Sequence, residues 1–418
     1  MTLAIDGGTP VRTTPLPTGK GVELLGVEER DAVLRVLDRR SLFRYYGPDL
    51  LAEVAAFETE AAELHGPGCA AVAVSSGTAA LRCALAALGV GPGDKIVVPA
   101  ITFIATVNAV VLSGAVPVFA EVDDTLGLDA ESVRAALSPR TAAVIAVHLD
   151  NGQCDMGPLL AVTDAAGVPV VEDAAQSMGA TLHGRRLGTI GSVGAFSLQL
   201  DKNVTAGEGG LVVTRDARLA LRAAAFQDQG GHFLTQHGAG RDHAPDPFVG
   251  DNLRMTELQG AIARVQLGRL DGMLDAMRAA KGKIVAAIGH IDGMVPRRLP
   301  DPMGEGASGL CYLLPDAATA QRCTEALLAE GIPTAQVYGG LPVYATPSIR
   351  DKRTASMKGC PWHCAAHPTE VAYPPGLCPR SEDLVARVVR LPVSPVFTAD
   401  DCADVAAAVR KVAASVLG

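Results

Sequence analysis

The sequence predicts an α/β protein: a large domain on a mostly parallel sheet with helices on both faces, followed by a smaller α/β domain. Three observations predict it. From residue 70 onward short apolar runs alternate with helix-patterned stretches, and that alternation makes parallel strands joined by covering helices. At 418 residues the chain exceeds one ordinary core, so a second domain is expected. With 48% apolar and 19% charged residues it has material for a packed interior and little of the charge that keeps chains disordered.

In order, residues 1–60 read as a Gly- and Pro-rich N-terminal arm carrying one helix over 27–37, where apolar residues recur at helical spacing. The aromatic cluster Phe43, Tyr45 and Tyr46 follows, a packed turn or a contact surface. The large domain is placed at 61–288. Within it 70–74 reads as a strand, 75–78 as a turn and 79–88 as an Ala/Leu helix; 96–98 is a strand, 103–112 a helix and 116–119 a strand; 142–148, 159–166 and 168–171 repeat strand, helix, strand. After a hairpin over 180–191, an alternating segment from Gly194 and the run Leu211-Val212-Val213 give two strands around Lys202. Helices are expected over 217–226, 256–273 and 277–288. A Pro/Gly-rich stretch at 289–309 marks the passage into the small domain, 289–418, which has helices at 317–330 and 399–416 and a long irregular segment through Pro375.

Several function classes are excluded. A net charge of −9 repels a polyanion, and no basic cluster offsets it, so no nucleic-acid partner is expected. The most apolar long run, 101–122, is interrupted by Asn108, Gly114 and Pro117, which argues against a membrane span. The first residues lack the basic and apolar regions of a signal peptide, and nine scattered cysteines read as reduced thiols, so a cytoplasmic protein is expected. Cys360, His363, Cys364, His367 and Cys378 are metal-ligand types, but their spacing fits no ordinary zinc pattern and no metal is expected. His232, His237 and His243 read as solvated loop residues.

Ligands on parallel sheets sit at the carboxyl ends of strands, so chemistry is sought in the turns there. The stretch 194–210 sets Lys202 between two apolar strands, where desolvation lowers an ammonium's pKa and a neutral amine can add to a carbonyl as a Schiff base. Ser76-Gly77-Thr78 opens a helix whose unpaired amides favour a phosphate, though simple N-capping explains the same residues. Glu172 and Asp173 end an apolar strand. A buried carboxylate there needs a partner, and a pyridinium nitrogen is one; either acid can instead be a structural cap. Phe103 follows another strand, free to lie on a flat ring or to pack in the core.

Together Ser76-Gly77-Thr78, Glu172-Asp173-Ala174-Ala175-Gln176, Phe196-Ser197 leading to Lys202, Gly207-Glu208-Gly209-Gly210 and residues 252–257 resemble the DegT/StrS-type family of sugar and cyclitol aminotransferases, from about residue 43 to the C-terminus. The resemblance implies a fold-type-I pyridoxal-phosphate enzyme with a seven-stranded, mostly parallel sheet and a smaller C-terminal domain. It implies pyridoxal 5'-phosphate carried by Lys202, which also shuttles the proton, with Asp173 on the pyridine nitrogen, Gln176 on the ring hydroxyl and Phe103 stacked. Ser76, Gly77, Thr78 and Ser197 would hold the phosphate, and Asn252 would reach the phosphate of a neighbouring subunit, which makes a homodimer with shared active sites. Tyr45 and Arg254 are candidates for binding the acceptor. Residues 227–231 and 252–256 resemble the glutamine-dependent cyclitol branch, implying L-glutamine or L-glutamate as donor and a keto-cyclitol or keto-sugar as acceptor in aminocyclitol or amino-sugar biosynthesis. The loop 148–156 departs from the family's pattern, with its glycine one place late at Gly152. Relatives with His in place of the lysine are dehydratases; Lys202 favours transamination, with a keto-deoxysugar dehydratase and a non-catalytic cofactor-binding sensor or scaffold as alternatives.

Overall fold

A computed structural model describes residues 2–233, 248–355, 358–366 and 371–418. Nine strands come first: β1 Ala70–Val74, β2 Lys95–Pro99, β3 Val116–Ala120, β4 Thr141–Val147, β5 Val170–Asp173, β6 Thr181–Leu182, β7 Arg185–Arg186, β8 Val193–Ser197 and β9 Gly210–Thr214. Seven of them form one sheet in the order β1-β9-β8-β5-β4-β2-β3, and β6 and β7 pair in a small hairpin. Neighbours from β8 to β3 run parallel; β9 alone is antiparallel to both of its neighbours.

Period-two alternation sorts the strand residues between two faces. Ile96, Val98 and Ile145 pack with the helices Gly77–Ala87 and Ile104–Leu112, while Val97, Val144 and Val170 pack with Met156–Ala165 on the other side. Both faces are covered, which is why these strands read as continuous apolar runs. Helix starts follow side-chain capping: Ser76 accepts from Ala79 N at 3.1 Å, Asp129 from Ser132 N at 2.8 Å, and Thr256 exchanges a reciprocal pair with Gln259.

The second half adds β10 Val295–Pro296, β11 Gly309–Leu313, β12 Ala335–Gln336 and β13 Val388–Pro392, an antiparallel sheet ordered β10-β11-β13-β12. The terminal helix Ala399–Val416 packs Val405, Val409 and Val412 into the same core as Met277 and Ile284 of the helix Leu270–Ile288. The arm lies across this half. Ala4 N and Val11 N donate to Glu330, which Lys411 also meets at 2.8 Å, Arg12 pairs with Asp401 at 2.7 Å, and Ser394 donates to Gly19 O.

The expected strands and helices between 70 and 227 lie within a few residues of those found. Four differences matter. A helix at Glu53–His65 stands where only arm was expected, burying Val54, Phe57 and Ala61. The helices expected over 256–273 and 277–288 are Glu257–Gly268 and Leu270–Ile288, so the break falls at Arg269 and not after residue 273. β11, β13 and the helix Pro379–Arg387 occupy stretches given no element. Cys360 and Cys364 are joined by a disulfide, which corrects the expectation that every thiol is free; Cys378 is free and buried. His237, His243 and His367 lie outside the described residues. No helix among the described residues is long and apolar enough to cross a membrane.

Candidate active site

The topology brings the chemistry to one edge of the sheet. Asp173 pairs in register with Ala195 of β8, and Ser197 at the end of β8 pairs with Gly210 at the start of β9. Because β9 runs antiparallel to both neighbours, Gly210 also meets Val74, the last residue of β1. The turns after β1, β2, β4, β5 and β8 therefore share one rim. Close approach requires glycine there: a Cβ on Gly210 would lie 2.2 Å from Ser76 O, and one on Gly77 would lie 2.7 Å from Ser197 Cβ.

Two cavities open on this rim. One, of about 530 Å³, is lined by Ser76, Gly77, Thr78, Phe103, Asp173, Gln176, Ser197 and Lys202. The other, of about 220 Å³, shares Gln176, Asp201 and Lys202 with it and adds Lys20, Asp150, Asn203, Tyr338 and Arg390. Of the eleven residues singled out from the sequence, eight line the larger cavity. Phe103 is 56% exposed, so it is no core residue, and its ring lies 6.5 Å from that of Tyr338.

The two acids separate cleanly. Glu172 points away from the cavities: Oε1 accepts from Ile190 N and Gly191 N at 2.6 Å each, and Oε2 from Gly188 N at 2.8 Å and His148 Nε2 at 2.9 Å. Cys154 N donates to His148 Nδ1, so His148 carries its proton on Nε2. Burial alone would raise the Glu172 carboxyl, but His148 and then the amides of Gly191 and Gly188 bring it below the ordinary glutamate value. It is a structural tie.

Asp173 is buried and faces the larger cavity. Its Oδ2 accepts from Thr106 Oγ1 at 2.7 Å, Thr106 is 2.7 Å from Thr102, and Oδ1 accepts from Ala175 N at 3.2 Å. Burial pushes its carboxyl above the ordinary aspartate value, against these bonds and the charge of Lys202. Lys202 is half-buried, and burial, then the charge of Lys20, hold its ammonium below the ordinary lysine range. Gln176 spans both cavities: Oε1 accepts from Asp150 N at 2.8 Å and Nε2 donates to Tyr338 OH at 3.1 Å.

Tyr45, Asn252 and Arg254 lie outside the lining of both cavities. Tyr45 OH accepts from Gln227, and Arg254 pairs with Asp228 at 3.0 Å beneath the rings of Phe43 and Phe233. Leu253 O accepts from Ser75 N, so this segment flanks the end of β1. Residues 148–156 do not reproduce a regular turn: Asp150 and Asn151 both have positive φ, and Arg390 meets Asp150 at 2.8 Å. Burial would raise Asp150, but Arg390, then Arg297 and Lys20, hold it at about 2. Sequence reasoning missed Thr106, Asp150, Tyr338, Lys20 and Arg390. Thr102 and Thr106 carried a signal, two hydroxyls at helical spacing just after a strand.

The larger cavity fits pyridoxal phosphate on its own chemistry. At one end Gly77 N and Thr78 N, the first helix amides, have no acceptor among the described residues, and the Ser197 and Thr78 hydroxyls stand beside them. At the other, Asp173 is a buried acid with no ion pair among the described residues. Between them stand an exposed aromatic face and an amine.

Known proteins resemble the chain over most of its length. The chain is 37% identical over 365 residues to the L-glutamine:2-deoxy-scyllo-inosose aminotransferase of Streptomyces kanamyceticus, covering 82% of each. It is 34% identical to the UDP-N-acetyl-3-dehydro-alpha-D-glucosamine 3-aminotransferase of Acidithiobacillus ferrooxidans, over 91% of this chain and 94% of that one. The solved structure of S. venezuelae DesV superposes with a TM-score of 0.80 at 31% identity, over 96% of this chain and 99% of that one. With residues 25–410 matching its family model, the chain belongs to the DegT/DnrJ/EryC1/StrS aminotransferase family and is an aminotransferase.

Proposed function

We propose that this aminotransferase uses pyridoxal 5'-phosphate to move an amino group from L-glutamine or L-glutamate to the ketone of a cyclitol or sugar. The observation that carries the cofactor is the larger cavity, where an amine and a buried acid face one space whose far end is a helix N-terminus with two free amides. Bound there, the cofactor supplies an aldehyde carbon that takes the amino group and a ring that draws electrons from it. Gly77, Thr78 and Ser197 would anchor its phosphate, Phe103 would cover its ring, and Gln176 would meet the ring hydroxyl. Asp173, kept in place by Thr106, would hold the proton on the pyridine nitrogen. Lys202 would carry the cofactor and, once its amine is free, take a proton at Nζ from the substrate's amine-bearing carbon.

The smaller cavity supports the substrate class. At about 220 Å³, lined by Asn203, Ser308, Gln336 and charged groups, it suits one small hydroxylated ring better than a large apolar ligand. The 2-deoxy-scyllo-inosose in the name of one relative is such a ring, whereas the other relative is named for a UDP-linked sugar. Asn252, Tyr45 and Arg254 would serve the site of a second subunit. The exposed Leu42, Tyr46 and Leu50 beside them support burial of that surface in a homodimer.

The test is spectroscopic. The purified protein should show the near-visible band of a lysine-bound cofactor, and L-glutamine or L-glutamate alone should bleach it with release of one equivalent of 2-oxoacid. Lys202→Ala should lack the band. A band that survives in Lys202→Ala assigns the wrong lysine, and failure to bleach with either donor removes the transaminase reading.

A further inference from the structure

The N-terminal arm delivers a second lysine to Lys202. Lys20 is only 6% exposed, and its Nζ donates to Asp201 O at 3.0 Å and Asp201 Oδ1 at 3.2 Å, on the residue next to Lys202. One position on, Gly21 N donates to Lys202 O at 3.2 Å. There is no room for another residue at Gly21, where a Cβ would lie 2.6 Å from Asn203 O. Lys20 and Lys202 line the same cavity, so two ammonium groups share one partly desolvated space. Such a pair raises its own free energy unless one amine gives up its proton. Lys20 has a carboxylate partner, whereas Lys202 has no ion pair among the described residues, so the cost of the like-charge pair falls on Lys202.

We propose that Lys20 is a positioning residue for the transamination: its charge, seated by the arm, favours the neutral form of the Lys202 amine when that amine is free, so that Nζ can accept a proton. This deepens the function proposed above and rests on Lys202 being the cofactor lysine. The other charged groups facing Lys202 leave this balance to Lys20. Asp150, from the loop after β4, is already matched by Arg390 of β13 and by Arg297, and Asp201 is held by Lys20 itself. Asp173, at the end of β5, is the acid assigned to the ring nitrogen, and Glu208 lies exposed on the cavity's rim. The Tyr338 phenol stays protonated, since burial pushes it well above its ordinary value. The direction of the Lys202 shift agrees: burial first, then Lys20, lower it, while Asp201, Asp173 and Asp150 act the other way.

Replacing Lys20 by methionine has two effects of one sign. It removes a like charge, and it frees the Asp201 carboxylate to turn toward Lys202. The test loads the enzyme with pyridoxamine phosphate, which leaves Lys202 free, and acetylates it competitively with trace acetic anhydride from pH 6 to 11 (about this range brackets lysine titration). Mass spectrometry of the Lys202 peptide gives the midpoint. In Lys20→Met the midpoint should rise by about 1 pH unit, and the acid limb of the single-turnover rate with a keto acceptor should move with it. Lys20→Arg, which keeps the charge, should titrate as the wild type does, so the contrast between the two variants separates the charge from the loss of the side chain. Asp201→Asn should move the midpoint downward, so the idea stays exposed even if Lys20→Met fails to fold. A Lys202 midpoint in Lys20→Met equal to the wild type, or an upward shift in Asp201→Asn, overturns it. Acetylation of Lys202 in the pyridoxal phosphate form would instead refute the assignment of Lys202, because that amine should then be covalently occupied.

Discussion

Replacing Glu172 by glutamine keeps the shape of a fully buried side chain and changes only what its second oxygen offers. In the native protein Oε2 accepts from Gly188 N and from His148 Nε2, and His148 cannot reverse its role, because Cys154 N already occupies Nδ1. A glutamine that leaves its oxygen on Ile190 N and Gly191 N must present an NH₂ group to two donors. Each lost bond to an ionised group costs about 1.5–3 kcal/mol, so the variant should be about 3–6 kcal/mol less stable. Unfolding entropy of roughly 2.1 cal/mol/K per residue gives about 0.9 kcal/mol/K over the 418 residues, so Tm should fall by roughly 3–7 °C. Differential scanning calorimetry at pH 7 reads this directly. Below the transition the variant should retain the near-visible cofactor band, because Glu172 does not face the cavity, whereas Asp173→Ala, which unfolds none of these ties, should lose it. An unchanged Tm in Glu172→Gln, or loss of the band in that variant with the fold intact, would refute the division of labour between the two acids. The sign with pH follows too. The Glu172 carboxyl sits below its ordinary value of 4.5, so its contribution is complete above that value and is lost as pH falls through the lower folded value.

Gly77→Ala should place a methyl 2.7 Å from Ser197 Cβ, and about 1–3 kcal/mol of overpacking at the phosphate end should weaken cofactor binding roughly five- to 150-fold in equilibrium dialysis. His65 is buried against Phe196 and pushed down to about 4 by that burial. The unfolded chain therefore takes up this proton first, near pH 6.5, and stability should fall by about 3 kcal/mol between there and pH 4; urea midpoints should show a shallower pH slope in His65→Gln. Mixing Lys202→Ala with Asn252→Ala chains should restore activity to a fraction of the mixed dimers, and no restoration would place Asn252 outside a shared site.

Much of this was legible in the sequence because it was local. The strands between 70 and 214 are buried on both faces, so their apolar runs stood out, and glycines at 77, 207, 209 and 210 marked the rim that the chemistry uses. The acids at 172 and 173 could not be told apart, since adjacent strand residues point to opposite sides and only the partner strands decide which side holds the cavity. The helix Glu53–His65 was hidden by its many charges, although Val54, Phe57 and Ala61 keep helical spacing. Residues 256–273 read as one helix because the junction at Arg269 keeps helical φ and ψ. β11 and β13 pair across seventy-odd residues of chain, with no alternation to announce them. Lys20 and Arg390 reach the site from 182 and 188 positions away from Lys202, a proximity that only the closed fold creates.

The arm has a bearing on how the enzyme matures on the ribosome. Its residues are synthesised more than three hundred positions ahead of Glu330, Ser394, Asp401 and Lys411, whose contacts hold it in place. The sheet bearing Lys202 can therefore assemble while translation continues, but the arm cannot settle until the terminal helix has emerged. A nascent chain would carry Lys202 without Lys20 beside it, and bring the two lysines to one cavity only after the contacts to Glu330 and Lys411 have formed.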